Sequence, residues 1–543
     1  MKKHLVLLMA AGLALAPLRA ESVEFKVKGQ WIVNFDYGNY GKFANSPRAT
    51  NKAPNPSPYT GYNGGATNTA DEFGTNQRVR LQLQAIASEY LSGTVWFEIG
   101  DQQWGNAMDR PGGTNAYGGA LGADGNAVEV KNAYLDWTLP NTPLKVRMGI
   151  QEITLPNFVA KTSNIFQDDV PGIVASYKVN EHADVTGFWF RFYNDNYPGS
   201  LAGQPRTSAN YMDNMDAAGL LVPLSFDGLK ITPWFMHASI GPNVMNPRVN
   251  KAYSSWNSVP SNTSDQMGNG ITSVYTGMLP AVWATKQGHS DRLTEYGNAF
   301  WGAVTGEYTG SDPFRLAWDF TYGSVAYEHA QLNRSGWEGF LLGEYKLDWG
   351  IPGIYAWYSS GDTGDIKNGS QRMPTIRSTT GNQLSKFASN GSIISRKNAV
   401  TAVWTGTWGF GARLKDISFL EDLTHTIRIN HFRGTNDPVM AKYFLGKKNA
   451  SGNYVTTRVG TDFNAGVEGI YLTTKDSATE FSLVNEWQIY KNLTMNLEAH
   501  YVLLNLDTSS SVWGRGAVAG GGWVGKPNLR DAWQCNLAFY YNF

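Results

Sequence analysis

The stretch VEFKVKGQWIVNFDY, Val23 to Tyr37, decides the fold. One register reads Val23, Phe25, Val27, Gly29, Trp31, Val33, Phe35 and Tyr37, and all but Gly29 are apolar or aromatic. The other reads Glu24, Lys26, Lys28, Gln30, Ile32, Asn34 and Asp36, and all but Ile32 are polar. Alternation at period two puts each set on its own face of an extended strand. Strands of globular domains usually run about 5–6 residues. A strand much longer than that, greasy on one face and charged on the other, fits a barrel wall between hydrocarbon and water.

The same pattern recurs along the chain. Val79, Leu81, Leu83 and Ala85 alternate with Arg78, Arg80, Gln82 and Gln84. Leu144, Val146, Met148 and Ile150 alternate with Lys145, Arg147, Gly149 and Gln151. Phe314, Leu316, Trp318 and Phe320 enclose Arg315, Ala317 and Asp319; Leu493, Met495, Leu497 and Ala499 enclose Thr494, Asn496 and Glu498. Each segment predicts one dry face and one wet face.

The connections alternate in length. Short turns are predicted at Ser88–Ser92, Pro140–Pro143, Val179–His182, Ser225–Gly228, Gly310–Pro313, Asp348–Pro352, Lys415–Asp422 and Tyr490–Asn492. Long polar, Gly-rich stretches separate them: Gly38–Asn76, Gln102–Ala127, Ile240–Asn298, Gly361–Ala399 and Gly434–Ser477. The fold class expected is therefore all-β, a transmembrane antiparallel β-barrel with short periplasmic turns and long extracellular loops. Eight short turns imply about eighteen strands, with sixteen the other count that strand-end uncertainty of about 2–4 residues allows. A barrel of about 16–18 strands leaves an aqueous lumen.

Composition narrows the function classes. The 543 residues hold 45 Lys+Arg against 45 Asp+Glu, and this zero balance argues against a nucleic-acid partner. A single cysteine excludes an intramolecular disulfide framework and a Cys-based zinc site. Lys2, Lys3, the apolar run Leu5–Leu18 and the small Ala20 read as a secretory signal peptide over residues 1–20. Residues 21–543 are then one barrel domain, placed in the outer membrane of a Gram-negative bacterium, against lipid and lipopolysaccharide.

The last strand has Trp533, Cys535, Leu537, Phe539, Tyr541 and Phe543 on one face and Gln534, Asn536, Ala538, Tyr540 and Asn542 on the other. Phe539, Tyr541 and the final Phe543 resemble the terminal signal read by the β-barrel assembly machinery during insertion.

The opening VEFKVKGQWIVNFDYG, the segment RVRLQLQAIASEYLSGTVWFEIGDQQWG and the run VKNAYLDWTLPNTPLKVRMGIQEITLPNF resemble the trimeric outer-membrane porins of sulfate-reducing bacteria. More distantly they are similar to the general bacterial porins. The resemblance implies a homotrimer of water-filled barrels passing small hydrophilic solutes and ions by passive diffusion, with no cofactor and no catalytic residue. It also implies a third loop, here Glu152–Pro171, folded into the lumen as a constriction. By that analogy Arg78, Arg80, Lys145 and Arg147 would face Asp168 and Asp169 across the gap, with Lys161 and Arg315 in the same group. The competing expectation is that wall charges pair across neighbouring strands.

Other residues are read more plainly. Trp31, Tyr37, Trp137, Trp318, Tyr541 and Phe543 fit interfacial girdles. Trp96 and Tyr134 are inward candidates for sugar stacking, and Trp104 and Trp256 fall on loops. Arg191 is placed on the wet face and Cys535 on the dry one. Gly520–Lys526 has the spacing of a phosphate-binding loop, but Pro527 follows and a strand comes next, so it reads as a flexible loop. Asp362, Asp365 and Asn368 read as a solvated turn rather than a Ca²⁺ loop. A solute-specific channel for a sugar or an oxyanion is the alternative, with Ile240–Asn298 as the natural seat of selectivity; a secreted β-rich binding protein is a further one.

Overall fold

The computed structural model describes residues 23–38, 72–105, 128–194, 214–241, 277–280, 296–378, 384–387, 404–441, 447–448, 454–455, 471–509, 511–513 and 531–543. The signal-peptide segment, Trp256, the Gly520–Lys526 motif and most of Ile240–Asn298 lie outside them.

The wall strands are β1 (Glu24–Gly38), β2 (Glu72–Ser88), β3 (Leu91–Gln103), β4 (Val128–Thr138), β5 (Leu144–Thr154) and β6 (Phe166–Lys178). Next come β7 (Asp184–Asn194), β8 (Asn214–Leu221, continued by Leu224–Phe226), β9 (Leu229–Ile240), β10 (Gly297–Ser311), β11 (Phe314–Ala326) and β12 (Arg334–Tyr345). The circuit is completed by β13 (Ile351–Ser359), β14 (Thr407–Leu420), β15 (Leu423–Gly434), β16 (Ser477–Tyr490), β17 (Leu493–Asn505) and β18 (Ala532–Asn542). β8 is interrupted at Pro223, which has no N–H to give the ladder. Of the twenty strands in the sheet, Leu224–Phe226 is this continuation and the two-residue Arg377–Ser378 belongs to a loop, which leaves eighteen in the wall.

Each wall strand pairs antiparallel with the next, and β18 pairs back onto β1. Trp31, Val33, Phe35 and Tyr37 stand opposite Tyr541, Phe539, Leu537 and Cys535. The seam is completed by the Gly29 N–H donating to the Phe543 carbonyl at 2.7 Å and the Phe543 N–H donating to the Gly29 carbonyl at 3.0 Å. A closed antiparallel barrel leaves no strand edge, which is the condition for β-structure in hydrocarbon.

The two registers take the faces expected. Ile32, Asn34 and Asp36 of β1 are buried toward the lumen, while Trp31 and Tyr37 are exposed outward. Phe320, Leu341, Ile354, Phe410, Ile429, Phe481 and Leu497 carry the apolar exterior around the ring. Cys535 is on this outer face. Trp31, Trp137, Tyr541 and Phe543 are outward as girdle residues, and Tyr37 meets Trp533 edge-on at 5.1 Å.

All eight short connections join neighbouring wall strands. The seventh corrects the expected turn Lys415–Asp422. β14 runs on to Leu420 through two register shifts, and the reversal is confined to Glu421–Asp422, with Asp422 in the left-handed region at φ 63°.

The lumen departs from a plain wet interior. Two buried apolar clusters join inward wall residues to loop residues. One joins the inward Phe190, Met215, Trp234, Met236 and Trp301 to Leu155, Ile165, Leu279, Met373 and Ile376 of the connecting loops. The other joins inward Tyr355, Trp357 and Phe432 to Leu384, Phe387 and Trp404. The inward aromatics of these two clusters are covered by loop residues and offer no open stacking face.

Gly29 tests the seam. A Cβ there would stand 2.4 Å from Phe543 Cζ and 2.8 Å from the Arg80 carbonyl oxygen. Gly29→Val is expected to cost about 1–3 kcal/mol by overpacking. The readout is the fraction migrating as the folded, heat-modifiable band on electrophoresis, which should fall, along with a lower urea midpoint.

Candidate functional site

The connection between β5 and β6, residues 155–165, does not lie over the rim. It turns into the barrel. Local bonds shape it: the Asn157 carboxamide oxygen accepts the Ala160 N–H at 2.7 Å, and Ser163 Oγ accepts the N–H groups of Ile165 and Phe166. Such side-chain-to-backbone bonds favour a compact turn over continued strand. Leu155, Val159, Ala160 and Ile165 are buried.

This loop ends against strands far around the ring. The Asp319 carboxylate of β11 accepts the N–H groups of Phe158 and Val159, each at 2.8 Å. Arg315 of β11 donates to the Phe158 carbonyl at 2.9 Å, and Asn164 donates to Glu338 of β12 at 3.2 Å. The loop is narrower than the expected Glu152–Pro171. The ladder between β5 and β6 extends to Thr154 opposite Gln167, so Asp168 and Asp169 stand on β6 and not on the loop tip. At the tip is Lys161, a non-glycine at φ 63°, with Nζ 3.7 Å from Glu307. Burial, aided by the nearby Arg315 charge, pushes the Lys161 ammonium below the usual lysine range.

Under the loop the wall charges form one network. Arg315 donates from Nε to Glu307 at 3.0 Å and from Nη1 to Glu344 at 2.6 Å. Glu344 also receives Arg413 Nη2 at 2.7 Å and lies 3.4 Å from Lys415 Nζ. Lys230 Nζ is 3.4 Å from Glu307 on its other oxygen. Alternation in β9, β10, β11, β12 and β14 points all of these inward.

The remaining sequence-derived site residues are not gathered there. Arg80 donates from Nε to Glu98 at 2.7 Å, and Arg78 lies 3.9 Å from the same carboxylate. Arg147 holds Asp136 through two bonds of 2.7 and 3.0 Å and lies over the Tyr134 ring. Lys145 stands on β5 opposite Thr138 and Ser176. Asp169 is met by Lys131 at 2.8 Å and Asn132 at 2.7 Å, rather than by Arg78, Arg80, Lys145 or Arg147. Those three arginines pair along the wall, as cross-strand pairing anticipates. Arg191 is a further correction. It pairs with Asp216 at 2.8 Å in the outward register beside exposed Trp189, near the long-loop end of β7.

Sequence reasoning missed Lys131 and the second inward loop. Lys131 is the extra residue of a bulge, since Trp96 opposes Asn132 and Phe97 opposes Val130. Its ammonium lies 5.2 Å from the Trp96 ring centroid, so that inward Trp is already covered by a cation. The loop between β13 and β14 enters the lumen at two places. Near β10–β12, Arg334 donates to the carbonyls of Arg372 and Met373, and Trp301 donates to the Pro374 carbonyl. The Ile376 N–H donates to Ile165 of the first loop at 2.8 Å, and Arg377–Ser378 runs parallel to Phe166–Gln167. Near β15–β17, Glu480 accepts Ser385 Oγ at 2.5 Å and the Lys386 N–H at 2.7 Å, while Lys386 Nζ meets Glu498 at 2.9 Å. The available signal was Met373, Pro374, Ile376, Leu384 and Phe387, apolar residues inside an otherwise polar stretch.

Asp362 is likewise not a solvated turn residue. It is buried and accepts Ser370 Oγ and, at 2.7 Å, Tyr471 OH. Asp365 accepts the Lys367 N–H at 2.9 Å. Among the described residues no group of His, Cys, Asp and Glu is clustered to hold a metal ion.

No protein-family model and no curated protein matches the chain. Solved structures do align with it. OpdQ of Pseudomonas aeruginosa aligns over 96% of this chain and 98% of its own, at 9% identity and TM-score 0.46. OpdL of the same organism aligns over 96% and 99%, at 9% identity and TM-score 0.47. The outer membrane protein OpdK, also from Pseudomonas aeruginosa, aligns over 95% and 98%, at 9% identity and TM-score 0.46. Likenesses this loose carry no argument, and the barrel rests on its own strand pairing.

Asp319 is the pin of the first loop. Asp319→Ala would leave two buried N–H groups without their acceptor, at about 1–3 kcal/mol each. The expected outcome is a folded barrel with larger unit conductance in planar bilayers. Asp319→Asn, which keeps one acceptor oxygen, should fall between the two.

Proposed function

We propose that this chain is an outer-membrane porin of a Gram-negative bacterium, a water-filled channel through which small hydrophilic solutes and ions diffuse passively. One observation carries the reading: residues 155–165 fold inside a closed barrel with an apolar exterior and are fastened to Asp319 on a distant strand. A loop fixed across a lumen reduces its width without sealing it, and selectivity then follows from width and from the charges on the narrow zone. A secreted binding protein would need the outward apolar rows packed on a second sheet. Here they face outward all round the ring.

Three such barrels side by side, each conducting alone, complete the proposal, with lipid and lipopolysaccharide around them. Phe539 opposite Val33 and Tyr541 opposite Trp31 share the outer face with Phe543, which suits recognition of this end by the assembly machinery before the seam forms.

Purified folded protein in planar bilayers should give stepwise currents, in groups of three, that rise linearly with voltage and salt. Liposomes carrying it should swell in neutral sugars at rates that fall with sugar size and do not saturate. Folded protein that yields no steps would overturn the reading, and saturable swelling would replace it with a solute-specific channel.

A further inference from the structure

The charge network beneath the first loop has a sign. Five cationic groups, Lys161, Lys230, Arg315, Arg413 and Lys415, converge on two carboxylates, Glu307 and Glu344. The buried Asp319 carboxylate nearby is turned to the loop backbone and the buried Glu338 carboxylate accepts from Asn164; counting both as charged still leaves an excess of one positive charge.

Exposure sharpens the asymmetry. The side chains of Lys161, Lys230 and Lys415 are 43%, 60% and 30% exposed, against 13% for Glu307 and 3% for Glu344. The carboxylates and the two arginines are largely buried, and the lysine side chains are the exposed members of the cluster. Lys161 of the loop tip and Lys230 of the wall thus flank Glu307 from either side, where the family resemblance implies charges opposed across the gap. Like charges set close together on one side of a passage add their potentials.

We infer that this cluster is a relay site for small anions, drawing them into the narrow zone and favouring divalent over monovalent ones, so that the channel is anion-selective. The inference rests on the channel reading above and names the class of ion it favours. No bond forms or breaks. The lysine ammonium groups replace part of the ion's hydration while the ion passes.

The test is the zero-current potential of the intact protein in a bilayer across a potassium chloride gradient. The expected sign is that of chloride permeation. The double variant Lys161→Gln/Lys230→Gln should move it toward the cation side, and Lys415→Gln should move it less, because that side chain is the least exposed of the three. Inorganic phosphate at pH 8 should reduce the chloride current of the parent at lower concentration than that of the double variant. Heat-modifiable migration verifies that each variant is folded. Stepwise currents with a cation-side or zero potential in the parent would overturn this inference alone. An unchanged potential in folded double variant would do the same. A bilayer that stays silent with folded parent overturns the channel reading together with it.

Discussion

The barrel depends on one constraint: inside hydrocarbon, every peptide N–H and C=O must find a partner within the chain. Seventeen neighbouring pairings would still leave two bare edges. The eighteenth, between β1 and β18, removes them, and it ends in the reciprocal pair between Gly29 and Phe543. The residue types at that seam follow from it. Gly29 has no side chain because the Phe543 ring occupies the space where one would stand. The aromatic rows of the first and last strands lie on the same outer face because cross-strand partners share a face in an antiparallel pair.

Closure creates a second problem on the inside. A ring of eighteen strands is wider than side chains can fill. The chain fills it partly with its own loops. Backbone brought into such an interior needs acceptors and donors, and the wall supplies them at chosen points: Asp319 for Phe158 and Val159, Glu480 for Lys386, Arg334 for Arg372 and Met373. Apolar loop residues then bury against inward Trp234, Trp301, Trp357 and Phe432, forming cores within the lumen.

Much of this was legible in the amino-acid sequence, and the failures have physical causes. Period two read the faces of β1, β2, β5, β11 and β17 correctly, because one-residue errors would turn every Leu and Phe of a strand into water. Parity failed at Lys131, where a bulge inserts an extra residue and reverses the count. Polarity failed at Arg191, because an outward charge near a strand end can lie level with headgroups and need not face the lumen. The third loop was found but drawn too wide, since Asp168 and Asp169 look like loop residues and only the ladder to Glu152 and Ile153 shows them to be strand. Lys161 and Arg315 are two of eight residues expected together at the constriction; Glu307, Glu344, Arg413 and Lys415 join these two from separate strands, and no local pattern announces such a meeting. The second inward loop was read as polar exterior because composition reports an average, whereas its few apolar residues are the ones that decide where it goes.

The parallel contact of Arg377–Ser378 with Phe166–Gln167, with Ile376 bonded to Ile165, ties two loops that have eight wall strands between them in chain order. Neither can reach its final position from local sequence alone, since contacts this distant form late and slowly. The first loop must wait for β11 and β12, and the second for β16 and β17, before their fastenings exist. A half-built wall therefore has no throat. Narrowing of the aperture becomes a property of the finished cylinder alone, acquired at the end of biogenesis.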